Sequence, residues 1–179
     1  MWVLFAGIVI LAVVGVVIAA QYLSKQAAAN GTAANPTIDG ISCDAGEGSV
    51  QHIHSHLTIY VNGSQSTIPA NIGIATDGTC YYWLHTHNIP SDSGVIHIEA
   101  PVTNTFTVGN FTDIWSKQFS QLNYPTELDQ KTGWQVYVNG KLYAGDWRNI
   151  PLTAHAAITM AYNSPNVKPD TSFNFPSGE

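Results

Sequence analysis

The chain has 179 residues and a formal net charge of −6, and only 10% of its residues are charged. This fraction is far below the roughly 25% usual for soluble domains. With so few basic residues the chain lacks the positive surface that nucleic-acid binding requires, so no nucleic-acid partner is expected. Low charge is typical of secreted, glycosylated or tightly assembled proteins, and the length suits one domain with an additional segment.

The first 24 residues carry no charged side chain, and apolar residues lie on all faces of the helix that they predict. A helix of about 24 residues is roughly 36 Å long, enough to cross a bilayer. A cleaved signal peptide is disfavoured because no basic residue precedes the apolar stretch. An uncleaved membrane anchor and a processed N-terminus that begins directly with the helix both remain open. We assign residues 1–26 to a hydrophobic helix and residues 27–42 to a linker.

The stretch MWVLFAGIVILAVVGVVIAAQYL resembles the start of a mature archaeal type IV pilin. Phe5 stands where bacterial pilins usually have a glutamate, so the archaeal subtype fits better. The resemblance implies a subunit of an extracellular, cell-surface filament, in which copies of the chain leave the membrane and pack together through this helix. The alternative is a monomeric, membrane-anchored extracytoplasmic protein.

From Ile41 onward the sequence predicts β structure with one short helix over residues 110–122. Tight turns at Asn62-Gly63 and Asn139-Gly140 predict two similar hairpins. We predict a mainly β fold, with an Ig-like β-sandwich or barrel as the head, preceded by the long N-terminal hydrophobic helix. The head spans residues 43–163, and residues 164–179 form an extended, Pro-rich tail. Strands are predicted at residues 50–61, 66–68, 80–87, 94–99, 105–108, 134–138, 141–143 and 152–162.

Six of the seven histidines fall in three short segments of the head: His52, His54 and His56, then His85 and His87, then His97. Side chains alternate across a strand, so His-X-His places both rings on one face. Neutral imidazole is a good ligand for Zn(II) and Cu(II). The sequence therefore predicts that these six histidines bind a transition metal, with copper and zinc favoured.

One ion cannot take all three rings of the first segment, because His52 and His56 lie about 13 Å apart along a strand. Two of the three are expected to join His85 or His87, with His97 as a further ligand, and two separate ions are an alternative. Further candidate ligands, or partners that orient an imidazole, are Asp92 and Glu99.

Residues 52–100 contain the strings HIHSHL, IPANIGI, CYYWLHTH and GVIHIE. They resemble a widespread, poorly characterised secreted domain of bacteria and archaea with the pattern H-x-H-x-H-L, I-P-A-x-I-G-I, C-x-x-x-L-H-T-H and G-x-I-H-x-E. The resemblance implies a shared domain and supports metal binding, but it implies no particular reaction. The sequence shows no catalytic motif, so a metal-dependent enzyme is the less favoured function. The favoured one is a filament subunit with a metal-binding head, and the alternative is an anchored copper- or zinc-binding protein for metal supply or electron transfer.

Cys43 and Cys80 predict one disulfide if the protein lies outside the cytoplasm. Two buried thiols and a Cys/His metal site are the alternatives. The disulfide is favoured because Cys43 lies in a glycine-rich turn rather than beside the histidine strands. Three sequons, at Asn30, Asn62 and Asn110, are candidates for glycosylation.

Overall fold

The computed structural model describes residues 35–177 of the chain. Single turns of 3-10 helix lie at Pro90–Asp92, Thr126–Asp129 and Trp147–Asn149. The strands and the helix are, in chain order, β1 (Cys43–Asp44), β2 (Gln51–Val61), β3 (Ser64–Ser66), β4 (Tyr81–Tyr82), β5 (Leu84–His85), β6 (Val95–Ala100), α1 (Val108–Gln118), β7 (Trp134–Val138), β8 (Lys141–Leu142) and β9 (Ala157–Tyr162).

Seven of these strands form one mixed sheet in the order β5-β6-β2-β9-β7-β8, with β3 paired to β2. Strand β2 is the longest and organises the sheet, because its first half pairs with β6 and its second half with β3 and β9. The β2–β9 pairing is parallel, whereas the other pairings are antiparallel. Strands β1 and β4 form a separate two-stranded sheet.

The predicted fold class is wrong, although the described chain is mainly β with one short α-helix. A sandwich needs two sheets packed face to face, whereas here one open mixed sheet carries seven strands. The long hydrophobic helix falls outside the part of the chain that the structure describes. It was predicted for residues 1–26, which lie outside the described residues, and no helix within residues 35–177 is long and apolar enough to cross a membrane.

The main core lies on one face of the sheet. Alternate residues of β2 point to it, among them Leu57 and Ile59, and both are fully buried. Helix α1 contributes Phe111, Ile114 and Trp115 to the same apolar cluster. A capping box between Thr107 and Asn110 starts this helix two residues before the predicted start at residue 110, and such a cap is worth about 1 kcal/mol.

The opposite face of the sheet carries the polar alternate residues of β2, and the C-terminal tail covers part of it. Asp170 accepts a 2.7 Å hydrogen bond from the Thr58 hydroxyl. The ring of Phe173 stacks on His56 with 3.8 Å between ring centroids. The tail is irregular up to residue 177, and it covers polar residues of β2 such as Thr58, which is buried.

Both predicted hairpin turns are confirmed. Asn62 and Gly63 have φ values of 52° and 84°, and Asn139 and Gly140 have values of 51° and 74°. Two successive positive φ angles define the turn that suits the twist of a two-residue hairpin. The two turns join β2 to β3 and β7 to β8.

Candidate metal centre

The register of β5, β6 and β2 aligns the three histidine segments. His97 on β6 pairs with His54 on β2 and with His85 on β5. Further along the same pair of strands, His52 pairs with Glu99. Directly paired residues of antiparallel strands have their side chains on the same face. These five side chains therefore lie together on the face opposite the main core.

The first ligand group consists of His85, His87, His97 and Glu99, whose possible ligand atoms all lie within 4.8 Å of one another. Nε2 of His85 lies 3.0 Å from Nε2 of His87 and 3.7 Å from Oε2 of Glu99. Two ligands that bind one ion at about 2.1 Å in a tetrahedral site are about 3.4 Å apart. The separations therefore suit a shared ion, so this group could hold a metal.

Glu47 adds a carboxylate that the sequence prediction missed. Its Oε1 lies 3.6 Å from Nε2 of His85 and 3.4 Å from Nε2 of His87. The loop that carries it runs against the end of β6, where a Cβ at Gly48 would collide with the backbone of Ala100. No ligand spacing marks Glu47 in the sequence, and the one available signal is its place between two glycines.

A hydrogen bond to the backbone prepares His85 as a ligand. Its Nδ1 lies 2.8 Å from the carbonyl oxygen of Tyr82. A carbonyl only accepts, so Nδ1 carries the proton and Nε2 keeps a free lone pair. That lone pair faces His87 and Glu99, which is the usual way in which a neighbouring group orients a metal-binding imidazole.

The loop with the string IPANIGI holds the His85-Thr86-His87 segment in place. The hydroxyl of Thr86 donates to the carbonyl of Pro69 at 2.8 Å and accepts from the amide of Ile72 at 3.1 Å. The amide of Thr86 donates in turn to the carbonyl of Ile72 at 2.9 Å. Thr86 is 2% exposed, so these bonds are shielded from water and fix the backbone between the two histidines.

The second ligand group consists of His52, His54 and Glu99. Nε2 of His52 lies 3.2 Å from Oε1 of Glu99, and the rings of His52 and His54 have centroids 4.9 Å apart. The His54 ring is buried, whereas 53% of the His52 side chain is exposed. This group could also hold an ion, and it opens to solvent on the His52 side.

His97 lies between the two groups and is backed by a buried carboxylate. Its Nε2 is 3.6 Å from Oδ2 of Asp92, and its Nδ1 is 3.5 Å from Oε1 of Glu99. Each ring nitrogen of His97 therefore faces a carboxylate oxygen. Asp92, which the sequence offered as a ligand or an orienting partner, belongs to neither ligand group.

Buried polar atoms without hydrogen-bond partners collect at this site. Within residues 35–177, six buried side-chain N or O atoms have none, and three of them belong to the first ligand group, namely both ring nitrogens of His97 and Oε2 of Glu99. An unpaired buried polar atom costs about 1–3 kcal/mol. A cluster of imidazoles that served only the fold would pair these atoms, so their concentration marks a place where a ligand satisfies them.

The protonation states suit metal binding at neutral pH. Burial is the main cause that lowers the pKa of His54 and of His85 to about 4. Burial alone would raise the pKa of Glu99, but the surrounding histidines, chiefly His97, His85 and His52, outweigh it and lower the pKa to about 2. His54 and His85 are therefore neutral at pH 7 and Glu99 is ionised, which is the state that metal coordination requires.

In the described part of the chain, no lysine or arginine forms an ion pair with a carboxylate of the centre, namely Glu47, Asp92 or Glu99. Burial and the neighbouring charge of Glu99 raise the pKa of Glu47. A cation between the two carboxylates would remove their repulsion.

The remaining predicted residues lie apart from both groups. His56 shares the face of β2, but its Nε2 lies 3.2 Å from the carbonyl oxygen of Ser93. Among the predicted glycosylation sites, Asn62 is exposed in its turn, Asn110 uses its side chain in the capping box, and Asn30 lies outside the described residues.

The predicted disulfide between Cys43 and Cys80 is confirmed. Its formation excludes both alternatives, free thiols and a Cys/His metal site. Next to it, the carboxylate of Asp44 accepts a 2.7 Å hydrogen bond from the Trp83 indole. Together these contacts hold the segment before Glu47 beside strands β4 and β5.

No protein-family model, curated protein or solved structure matches this chain. The two family resemblances seen in the sequence therefore stay predictions, and the candidate centre rests on its own geometry.

Proposed function

We propose that residues 43–163 form a transition-metal-binding domain, in which His85, His87, His97 and Glu99 hold the ion. The observation that carries the proposal is the set of buried atoms without hydrogen-bond partners, three of which belong to this group, namely both ring nitrogens of His97 and Oε2 of Glu99. Burial without a partner is costly, and one metal ion between the imidazoles and the carboxylate would satisfy several of these atoms together.

The ligand chemistry supports zinc or copper as the ion. Three imidazoles and a carboxylate form a nitrogen-rich set, which suits Zn(II) and Cu(II) better than Mg(II) or Ca(II). Cys43 and Cys80 cannot contribute thiolates because they are bonded to each other. Without thiolate ligands the set is a poor one for Cu(I) or an iron–sulfur cluster.

The surroundings of the centre support a metal taken up from outside the cytoplasm. The disulfide is typical of oxidising compartments. A cleft of about 230 Å³ opens beside His87 and Asp92, and it provides an entry path for an ion. The predicted filament and membrane-anchor roles depend on residues outside the described part of the chain, so the proposal concerns the head alone.

The test is metal content with a matched control. The full-length protein would be stripped with a chelator, loaded with Zn(II) or Cu(II), and measured by inductively coupled plasma mass spectrometry. The double variant His85→Gln/His87→Gln is expected to lose at least one ion per chain. His155→Asn is the control, because residue 155 lies in neither ligand group and has a φ of 59°, which asparagine tolerates.

Two results would contradict the proposal. The first is a wild-type protein that binds no zinc or copper after loading. The second is a folded double variant that keeps the wild-type metal content, because its two glutamines cannot replace two imidazole ligands.

A further inference from the structure

Glu99 belongs to both ligand groups, and its two oxygens face different histidines. Oε1 lies 3.2 Å from Nε2 of His52 and 3.5 Å from Nδ1 of His97, whereas Oε2 lies 3.7 Å from Nε2 of His85. The Glu99 side chain is only 7% exposed, and Oε2 has no hydrogen-bond partner. A buried carboxylate with Oε1 toward His52 of the second group and Oε2 toward His85 of the first has the arrangement of a bridging ligand.

The ligands are too many and too far apart for a single ion. The two groups and Glu47 together offer seven side chains, namely Glu47, His52, His54, His85, His87, His97 and Glu99. Zinc in proteins is almost always four-coordinate, so a division between two ions uses this set better than one ion does. Glu99 is the one residue that both groups contain.

We infer that the site is a dinuclear centre, in which His52 and His54 hold a second transition-metal ion and Glu99 bridges it to the first. The inference rests on the proposed function, because it assumes that the first ion is bound by His85, His87, His97 and Glu99. In two-metal sites the ions lie about 3.5–4 Å apart, a separation that one carboxylate can span.

The two positions differ in their access to solvent. The first ion lies against His85, whose side chain is fully buried. The second lies against His52, of which 53% is exposed. With three protein ligands the second ion has a free coordination position on the solvent side, where water or a small anionic ligand can bind. The second ion is therefore the exchangeable one.

The test combines metal stoichiometry with electron paramagnetic resonance of the full-length, Cu(II)-loaded protein. We expect two ions per chain and the half-field signal of a magnetically coupled copper pair. The variant His52→Ala/His54→Ala should retain one ion and show an isolated copper signal. Glu99→Gln should lose the coupling, and the control His155→Asn should keep two coupled ions.

The outcomes separate the two proposals. If the wild-type protein binds no metal, the proposed function itself is wrong. If it binds one ion, and His52→Ala/His54→Ala leaves that ion in place, the dinuclear centre is wrong while the proposed function stands. Two ions without a coupled signal in the wild-type protein would overturn the bridge by Glu99. This last measurement uses only the wild-type protein, so it tests the bridge even if a variant fails to fold.

Discussion

Replacing Cys43 and Cys80 by serine should lower the free energy of unfolding by about 4 kcal/mol. The two cysteines are 37 residues apart in the sequence, and a loop of that size corresponds to about 13 cal/mol/K of unfolded-chain entropy, or about 4 kcal/mol at 25 °C. The closed loop contains the whole of β2. The unfolded variant would therefore regain freedom in the segment that carries His52 and His54, two of the five histidine ligands.

Denaturant unfolding of the full-length protein and of Cys43→Ser/Cys80→Ser, both without metal, measures this loss. The midpoint should fall and the denaturant slope should rise, because the unfolded state expands when the cross-link is absent. For a domain of this size the melting temperature should fall by roughly 10–15 °C.

His155→Asn again provides the control, since it leaves both the cross-link and the ligand groups intact. A loss below about 1 kcal/mol in a variant that folds normally would refute the loop-entropy reasoning. It would mean that the segment around Cys43 is already restricted in the unfolded chain.

Further measurements test individual parts of the centre. His56→Gln should leave the metal content unchanged, because this ring lies in neither ligand group; a lost ion would place His56 in a site. Glu47→Gln should weaken zinc binding by roughly tenfold without lowering stability, since it removes a partly exposed carboxylate; equal affinity in a chelator competition would exclude Glu47. Thr86→Val should weaken zinc binding 10- to 100-fold, an effect typical of groups that support a ligand, and an unchanged dissociation constant would argue against the role of its hydrogen bonds. The metal-free protein should lose stability as the pH falls from about 6.5 to about 4, because His85 is protonated in the unfolded chain but not in the folded one. The free energy of unfolding should fall by an amount on the order of 3 kcal/mol for this buried group. A flat profile of unfolding free energy against pH would contradict the prediction.

Local patterns in the sequence predict much of the histidine face but not its layout. Alternation along β2 and β6 places His54 and His97 correctly relative to their own strands, and the pairing of the two strands brings them together. His56 has the same alternation, yet its ring lies against Phe173 and Ser93. The period of a strand specifies a face, whereas the distance between rings depends on what packs above that face.

The sequence-based predictions fail where the fold depends on contacts between residues that are distant in the sequence. The residues of β9 alternate in a way that suits a parallel or an antiparallel neighbour equally, so its parallel pairing with β2 has no local signal. Without that pairing, a chain of short strands and turns indicates a sandwich. Glu47 was missed for a related reason: it reaches the site only because the loop packs on β6 at Gly48.

The site combines a well-packed core with a poorly satisfied polar cluster on the other face of the same strands. Leu57, Ile96 and Ile98 are buried against helix α1 and its neighbours, and this burial can offset the cost of polar atoms that lack partners. Natural sequences leave such local conflicts mainly where function requires them. Both ring nitrogens of His85 have hydrogen-bond partners, whereas both ring nitrogens of His97 lack one, so His97 is the histidine that a purely structural role explains least. The strands thus hold the imidazoles and the Glu99 carboxylate together without an ion, so an ion bound there would not have to spend binding free energy on assembling the site.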